Sequence, residues 1–196
     1  VKGKCPGIKT VFGIGQGLDD TVLHLAEIAE KSSHEFAGPG ITKDQLMNIQ
    51  YTSGTTGFPK GCMLTHEYWL TLAWVTSKSS FSITGEDVFL SVQSFFYMDP
   101  QWQLAMTLTT GCTMILARRY SASGFMPLVH KHDVTCSLAE AAQLIFGTPE
   151  KPDDGRHKLR FVLIFGFPSK LHKKFEERFN VAAREAYGMT EIGACT

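Results

Sequence analysis

The sequence predicts an α/β fold in which a largely parallel sheet is flanked by helices. Apolar, often β-branched runs alternate with amphipathic stretches along the chain, and the strongest apolar run, Leu159–Phe165, is followed by a helical pattern at Ser169–Phe179. Repeated strand–helix spacing of this kind is typical of parallel sheets that helices cover. The 196 residues contain enough apolar side chains for one globular unit with its own core.

The first predicted element is a strand at Ile8–Ile14, which is rich in β-branched and apolar residues. A helix follows, capped by Asp19 or Asp20, because the apolar residues between Val22 and Ala29 have helical spacing. A connection containing Gly and Pro covers Ser32–Asp44. By the same criteria, the remaining strands are Leu46–Tyr51, Asp87–Gln93, Cys112–Ala117, Val134–Ser137 and Leu159–Phe165, and the remaining helices are His66–Lys78, Gln101–Thr109, Ser123–His132, Ala139–Phe146 and Ser169–Phe179.

Composition narrows the class of protein. Nineteen basic side chains balance nineteen acidic ones, so no net field attracts nucleic acid or an anionic membrane. Five scattered cysteines without a C-x-x-C pair indicate reduced thiols in a cytoplasmic protein. No apolar run has the length that a bilayer span requires, and the first residues lack the apolar core of a signal peptide. We therefore expect a cytoplasmic protein with no membrane span and no nucleic-acid partner.

Residues 51–61, Y-T-S-G-T-T-G-F-P-K-G, have the composition of a phosphate-binding loop. The hydroxyl donors are Thr52, Ser53, Thr55 and Thr56, the glycines are Gly54, Gly57 and Gly61, and the cation is Lys60. Glycines allow backbone N–H groups to approach phosphate oxygens, and a strand–loop–helix setting is expected around them. Pro59 stands where a Walker A loop needs glycine, which excludes that motif. A surface turn rich in Gly, Ser and Thr is the alternative interpretation of the string S-G-T-T-G.

The complete string resembles the signature loop of the AMP-forming adenylate synthetases, the superfamily of acyl-CoA ligases, luciferases and peptide-synthetase adenylation domains. A second family motif, Y-G-M-T-E, lies at Tyr187–Glu191 with the expected order and separation. The segments Ser94–Trp102 and Arg119–Ser123 are most similar to those of crotonobetaine/carnitine-CoA ligases. The resemblance implies that the sheet is part of the large N-terminal domain of the adenylate-forming fold.

The resemblance also implies the chemistry. A carboxylate attacks the α-phosphate of ATP, pyrophosphate leaves, and coenzyme A takes the acyl group. Residues Thr52 to Lys60 would hold the β- and γ-phosphates, with Gly57 and Gly61 giving the loop mobility. In the second motif Tyr187 would contact adenine, Thr190 the α-phosphate and Glu191 a Mg²⁺ ion, since Mg²⁺ prefers oxygen ligands. The resemblance implies that Lys60, Thr190 and Glu191 are catalytic residues and that Glu191 and Thr52 are metal ligands. Gly188 and Met189 are expected beside the nucleotide. Alternatively, Tyr187 is a core aromatic and Glu191 a solvated side chain.

A third family segment ends in Phe165-Gly166-Phe167-Pro168, where the family has G-G-A-P. By resemblance Gly166, Phe167 and Pro168 line the adenine and acyl pocket, but two phenylalanines would fill space that small residues leave open. Phe167 either restricts the acyl site, stacks on adenine or belongs to the core.

The substrate expected at the acyl site is a small-molecule carboxylate. Tyr97, Asp99 and Trp102 lie within six residues, and aromatic faces together with a carboxylate attract a quaternary ammonium group. Tyr97 and Asp99 share one face if the segment is extended. The alternative interpretation makes Trp102 a buried helix residue.

The match to the family begins near Ile8 and reaches Thr196. Residues 1–196 are therefore expected to be a partial AMP-binding (adenylation) domain without the small C-terminal domain and its catalytic lysine. We expect such a chain to be inactive alone. Two other classes of function stay open, an ATP/AMP-binding module without ligase turnover and a structural or interaction domain; a homodimer also stays open.

Overall fold

The computed structural model describes residues 5–53 and 57–195 of the chain. These residues form two compact units, one ending at Ile41 and one beginning at Thr42, where the sequence predicts a single unit. The boundary falls within the connection that contains Gly38, Pro39 and Gly40. None of the helices in the described ranges combines the length and the apolar character needed to cross a bilayer.

The first unit contains two short strands and one helix. Strand β1 (Phe12–Gly13) pairs in parallel with β2 (Leu23–His24), and helix α1 (Leu25–Lys31) follows. The predicted strand is thus much shorter, and the predicted helix starts later. Asp19 does not cap that helix: its carboxylate accepts hydrogen bonds from the N–H and the hydroxyl of Thr21 at 2.8 and 2.6 Å in the preceding turn. This local competition between side chain and helix is the usual behaviour of Asp.

The second unit begins with an antiparallel hairpin. Strand β3 (Leu46–Thr52) pairs with β4 (Lys60–Thr65), and helix α2 (His66–Val75) continues into a π-helical turn at Thr76–Ser80. The predicted strand–loop–helix setting is therefore wrong, because the loop joins two strands. The sequence K-G-C-M-L-T contains few β-branched residues, and its strand conformation comes from pairing with β3.

A five-stranded parallel sheet confirms the predicted fold class. The strand order is β6-β5-β7-β8-β9, and the antiparallel hairpin β10–β11 follows it in the chain. The strands are β5 (Val88–Ser91), β6 (Thr113–Leu116), β7 (Cys136–Leu138), β8 (Phe161–Ile164), β9 (Ala182–Glu185), β10 (Tyr187–Met189) and β11 (Gly193–Cys195). The helices that connect them are α3 (Met98–Thr110), α4 (Ala122–Lys131), α5 (Ala142–Phe146) and α6 (Ser169–Phe179).

Both faces of the sheet are buried, and β8 shows how. Its four side chains are all buried; Phe161 and Leu163 join the cluster that contains α2 and α3, whereas Val162 and Ile164 join the cluster that contains α4, α5 and α6. Successive side chains of a strand point to opposite faces, so an uninterrupted apolar run is what a doubly covered strand needs.

The strand order creates a crevice at the carboxyl edge of the sheet. From β5 the chain crosses to β6 on one side and then to β7 on the other. Loops after β5 and β7 therefore leave the sheet in opposite directions, and open parallel sheets bind ligands at such a switch point. The loop after β5 leads to Asp99, and the residue Glu140 follows β7.

At the opposite edge, Asp87 ties three strands together. Its carboxylate accepts a hydrogen bond from the Thr135 hydroxyl at 2.6 Å and one from the Thr84 N–H at 3.0 Å. Arg160 adds a bidentate pair, from Nε to Oδ1 at 3.1 Å and from Nη2 to Oδ2 at 2.9 Å. Each of the three residues immediately precedes a strand: Asp87 precedes β5, Thr135 precedes β7 and Arg160 precedes β8. Burial acts to raise the pKa of Asp87, but these hydrogen bonds and the charge of Arg160 outweigh it and lower the pKa.

We expect Asp87→Asn to lower the free energy of unfolding by about 1.5–3 kcal/mol at neutral pH, because it weakens charged hydrogen bonds in a buried site. The folded-state pKa of Asp87 is lowered from 3.8, so its contribution is complete above that value and is lost as the pH falls through the folded-state pKa. Urea unfolding at pH 7 and pH 3 measures both effects.

A matched control is Asp133→Asn, which removes an exposed carboxylate that pairs with Lys158 at 3.0 Å. Asp133 has φ 51, a conformation that asparagine tolerates. Exposed pairs contribute about 0–1 kcal/mol. Equal losses of stability in the two variants would contradict the role assigned to Asp87.

Candidate functional site

The predicted phosphate loop connects the two strands of the β3–β4 hairpin. Thr52 lies opposite Lys60 in the register, Thr52 is half-buried, and both Ser53 and Lys60 are exposed. Gly57 has φ 126, which side-chain-bearing residues rarely adopt. The predicted phosphate-binding residues Gly54, Thr55 and Thr56 lie outside the described residues.

Gly61 has a different role from the one expected of it. It lies in β4, and a Cβ there would come within 2.8 Å of Ile49 Cγ2 on β3. Glycine at this position therefore permits close pairing of the two strands rather than loop mobility. Close pairing fixes the distance between Thr52 and Lys60 at the loop's two ends.

The Y-G-M-T-E motif forms one strand and the tip of the β10–β11 hairpin. The N–H of Ile192 donates to the carbonyl of Met189 at 3.1 Å, so Thr190 and Glu191 occupy the turn. Tyr187 is exposed, which overturns the alternative that it is a core aromatic, and Glu191 is exposed as well. The motif thus presents a phenol, a hydroxyl and a carboxylate on one small hairpin.

Helix α2 carries this hairpin next to the phosphate-loop hairpin. The hydroxyl of Tyr68 donates to the carbonyl of Thr190 at 2.9 Å. A Cβ on Gly193, whose φ is 81, would lie 3.1 Å from Leu72 Cδ1. Burial raises the pKa of Tyr68 to about 12, with further contributions from Cys62, Glu191 and Asp99. Because α2 begins directly after β4, it places both family motifs on one support.

One charged residue from each motif, Lys60 and Glu191, affects the pKa of Cys62 on β4. Burial raises the pKa of this thiol first, Glu191 raises it further, and Lys60 opposes the shift. Among the described residues no group of three or more His, Cys, Asp or Glu side chains could hold a metal ion. One carboxylate with nearby hydroxyls nevertheless fits Mg²⁺, which binds through one or two carboxylates together with phosphate oxygens and water.

A cavity of about 250 Å³ lies between the start of α3, the end of β8 and the β10–β11 hairpin. Its lining residues are Met98, Asp99, Trp102, Phe165, Gly188, Met189, Thr190 and Gly193. Three residues of the Y-G-M-T-E motif and two of the three predicted acyl-site residues therefore border the same space.

The local structure of the acyl-site segment differs from the prediction. Helix α3 begins at Met98, and Pro100 lies in its first turn, where proline is tolerated. Asp99 is therefore helical rather than extended. Tyr97 precedes the helix, and its exposed ring packs against Phe96 with the ring centroids 4.2 Å apart.

Trp102 is only 1% exposed, and its indole N–H donates to Asp99 Oδ1 at 2.8 Å. It is a buried helix residue, the alternative interpretation, although one part of it borders the cavity. Burial raises the pKa of Asp99 despite the hydrogen bond from Trp102. The indole thus orients a carboxylate that burial destabilises in its charged form.

The Phe165–Pro168 segment divides between cleft and core. Phe165 borders the cavity, and Gly166 is exposed with φ 58. The ring of Phe167 is buried against Phe175, with the centroids 5.4 Å apart, which agrees with the alternative that Phe167 belongs to the core. Pro168 is the residue that precedes helix α6.

Sequence reasoning missed Glu140, which borders a second cavity of about 390 Å³ with Tyr120, Ala141 and Phe165. Burial raises the pKa of Glu140 to about 7, and the charge of Asp99 adds to the shift. Ala141 has φ 48 at the start of α5. The stretch A-E-A-A-Q-L resembles an ordinary helix, so the available signal was its position after a strand at the switch point.

Sequence reasoning also missed Tyr68 as part of the site. Tyr68 lies in a helix whose apolar and aromatic residues suggest packing alone, and only the folded chain places its hydroxyl on Thr190. Phe165 borders both cavities and forms their common wall.

Comparison with known proteins identifies the family. The family model described as AMP-binding enzyme matches residues 4–196. The crotonobetaine/carnitine-CoA ligases of Salmonella agona and Salmonella typhi are each 34% identical over 187 residues, which cover 91% of this chain and 36% of the ligase. The chain thus spans about a third of the length of these curated relatives.

Solved structures share the fold. The O-succinylbenzoate coenzyme A synthetase (MenE) of Bacillus subtilis in complex with ATP and magnesium ion has a TM-score of 0.69 and 27% identity, covering 84% of this chain and 35% of that one. ATP-bound MatB from Rhodopseudomonas palustris has a TM-score of 0.76 and 23% identity, covering 90% and 36%. With the two motifs on one support and a family model that matches nearly every residue, the chain belongs to the family of AMP-binding enzymes.

Proposed function

We propose that the protein activates a small carboxylic acid with ATP and Mg²⁺ to form an acyl-adenylate and pyrophosphate, and then transfers the acyl group to coenzyme A. The single observation that carries the proposal is that helix α2 connects the two motifs. It follows β4, which contains Lys60 and Cys62, and its Tyr68 donates a hydrogen bond to Thr190. The relatives named as crotonobetaine/carnitine-CoA ligases support the same reaction type.

The nucleotide side of the proposed site uses donors from two hairpins. Residues Thr52 to Gly57 and Lys60 hold the β- and γ-phosphates, and Thr190 contacts the α-phosphate. Tyr187, Gly188 and Met189 border the base, with Gly166 and Pro168 at the rim. Positioned N–H, hydroxyl and ammonium donors stabilise charge that develops as pyrophosphate departs.

Glu191 and Thr52 are the proposed ligands of Mg²⁺, which neutralises phosphate charge when it is bound. The exposed carboxylate of Glu191 keeps room for phosphate oxygens and water. Glu191 and Lys60 act in opposite directions on the pKa of the Cys62 thiol, which links the charges of the two motifs.

The acyl side of the proposed site is the cleft that Asp99 and Glu140 share across Phe165. Both carboxyl groups are partly buried, and the charge of Asp99 acts on Glu140. Tyr120 and Phe165 add aromatic faces. We propose that this cleft accepts the cationic head group of a carnitine-like acid, since carboxylates and aromatic faces both attract quaternary ammonium. Tyr97 lies beside it on the exposed turn.

Lys60→Ala is expected to weaken the binding of Mg-ATP by about ten- to a hundredfold, because one charge-assisted contact contributes about 1.5–3 kcal/mol. Isothermal titration calorimetry on the folded variant measures the change. Lys170→Ala is the matched control, since Lys170 is exposed in the first turn of α6, and its affinity should equal that of the wild type.

Unchanged affinity in Lys60→Ala would contradict the role of Lys60, and a wild type that binds no Mg-ATP would contradict the proposed function. A full-length wild-type enzyme that binds Mg-ATP but gives no carboxylate-dependent ATP–pyrophosphate exchange would instead be a nucleotide-binding module.

Asp99→Asn and Glu140→Gln are each expected to reduce the preference for carnitine and crotonobetaine over benzoate and octanoate, because each removes negative charge from the cleft. Burial raises the pKa of Glu140 to about 7, so the wild-type preference should increase as the pH rises from 6 to 8 and Glu140 loses its proton. Carboxylate-dependent ATP–pyrophosphate exchange by the full-length enzyme, with each of the four acids, measures both effects.

Glu177→Gln serves as the control for a change of charge outside the cleft, since Glu177 pairs with Lys173 on the surface of α6. A wild-type preference for octanoate that Asp99→Asn leaves unaltered would refute the cation site. The ligase proposal would stand in that case.

A further inference from the structure

Side-chain amides join the strand that leads into the phosphate loop to the turn that leads into α3. Gln101 Nε2 lies within hydrogen-bond distance of three acceptors, Gln50 Oε1 at 3.0 Å and the carbonyls of Phe95 and Tyr97 at 3.1 and 3.0 Å. Gln50 Nε2 donates to the carbonyl of Phe96 at 2.7 Å. Two glutamines, one on β3 and one on α3, thus bind three consecutive carbonyls of the aromatic turn 95–97.

The network extends to α2 through Asn48. Asn48 Nδ2 donates to Gln101 Oε1 at 2.9 Å, and Trp69 Nε1 donates to Asn48 Oδ1 at 3.0 Å. Trp69 is 2% exposed, so one end of the network is anchored in the core. Every polar atom of the Gln101 side chain is used, and a fully satisfied network of this kind holds one arrangement.

On β3 the network occupies the face that continues to the phosphate loop. Asn48, Gln50 and Thr52 are half-buried, whereas the residues between them are exposed. Alternate residues of a strand share a face, so Thr52 is the next member of the row that carries the two amides. Thr52 in turn lies opposite Lys60.

On α3 the network precedes the acyl side of the cleft. The turn 95–97 leads directly into the helix that carries Asp99, and Gln101 lies in that helix's first turn. The carbonyls are held by amides while the rings of Phe95, Phe96 and Tyr97 stay exposed. Movement of the turn would therefore change the position of Asp99 relative to Thr52.

We propose that Gln101 is a positioning residue that holds the acyl side of the cleft in register with the phosphate loop, so that the carboxylate lies in line with the α-phosphate. The proposal rests on the proposed function. It predicts an effect on the rate of adenylate formation rather than on nucleotide affinity, because Gln101 lies outside the phosphate-binding residues and misplacement of the reacting groups reduces the rate.

The test compares Gln101→Met with Gln103→Met in the same helix. Methionine preserves the length of the side chain but removes its hydrogen bonds. Gln103 is 1% exposed and its Oε1 has no partner within the described part of the chain, so it is a buried glutamine without this network. Gln101→Glu retains an acceptor for Asn48 and removes the donor to the carbonyls.

Two measurements are made on each variant of the full-length enzyme, using whichever of carnitine, crotonobetaine, benzoate and octanoate gives the fastest wild-type exchange. In ATP–pyrophosphate exchange, Gln101→Met and Gln101→Glu should lose about ten- to a hundredfold in kcat, with KM for ATP changed less than about threefold. Amide hydrogen exchange of residues 95–101 without ligands should accelerate in both variants. Gln103→Met should retain the wild-type kcat and the wild-type protection of these amides.

The outcomes separate the two proposals. Absence of exchange in the full-length wild-type enzyme overturns the proposed function. Wild-type kcat in Gln101→Met overturns the positioning role alone, even if hydrogen exchange accelerates, as does an equal loss in Gln103→Met. If the Gln101 variants do not fold, Gln50→Met removes the β3 half of the network and leaves α3 intact; wild-type kcat in that variant would equally overturn the proposal.

Discussion

The carboxylate of Asp87 is the interaction on which the arrangement of the sheet depends. Thr135 and Arg160 reach it from the residues before β7 and β8, and Asp87 itself precedes β5. Because the amino ends of three neighbouring strands bind to one carboxylate, this group sets the register of the strands relative to one another. The carboxyl ends then emerge together at the opposite edge, where Asp99 and Glu140 lie on either side of the switch point.

Helix α2 transmits this order to the two hairpins that lie outside the five-stranded sheet. It packs on the sheet through the cluster that contains Phe161 and Leu163. From the same helix, Trp69 donates a hydrogen bond to Asn48 of β3 and Tyr68 donates one to Thr190 of the β10–β11 turn. Hydrogen bonds from a packed helix limit the movement of hairpins that make few core contacts of their own.

The burial of polar groups in the cleft lowers the stability of the folded protein. Burial raises the pKa of both Asp99 and Glu140, which means that the protein disfavours their charged forms, and Ala141 adopts a left-handed conformation between Glu140 and α5. Strained and desolvated groups cluster where a ligand can compensate them. A cationic ligand would restore part of the solvation that the carboxylates lose on folding.

The sequence by itself determined the fold class, because a strand such as Phe161–Ile164 must be apolar on both faces to lie in a covered parallel sheet, and the family, because two separated motifs carry it. It did not reveal β4, β9 or the β10–β11 hairpin, whose residues form strands through pairing rather than through propensity. Only the tertiary structure decided that Phe167 is core and Phe165 borders the cleft, that the charge of Asp99 acts on Glu140, and that Gln101 joins the start of α3 to β3. These placements arise from contacts between residues far apart in the chain, and no local pattern encodes such distances.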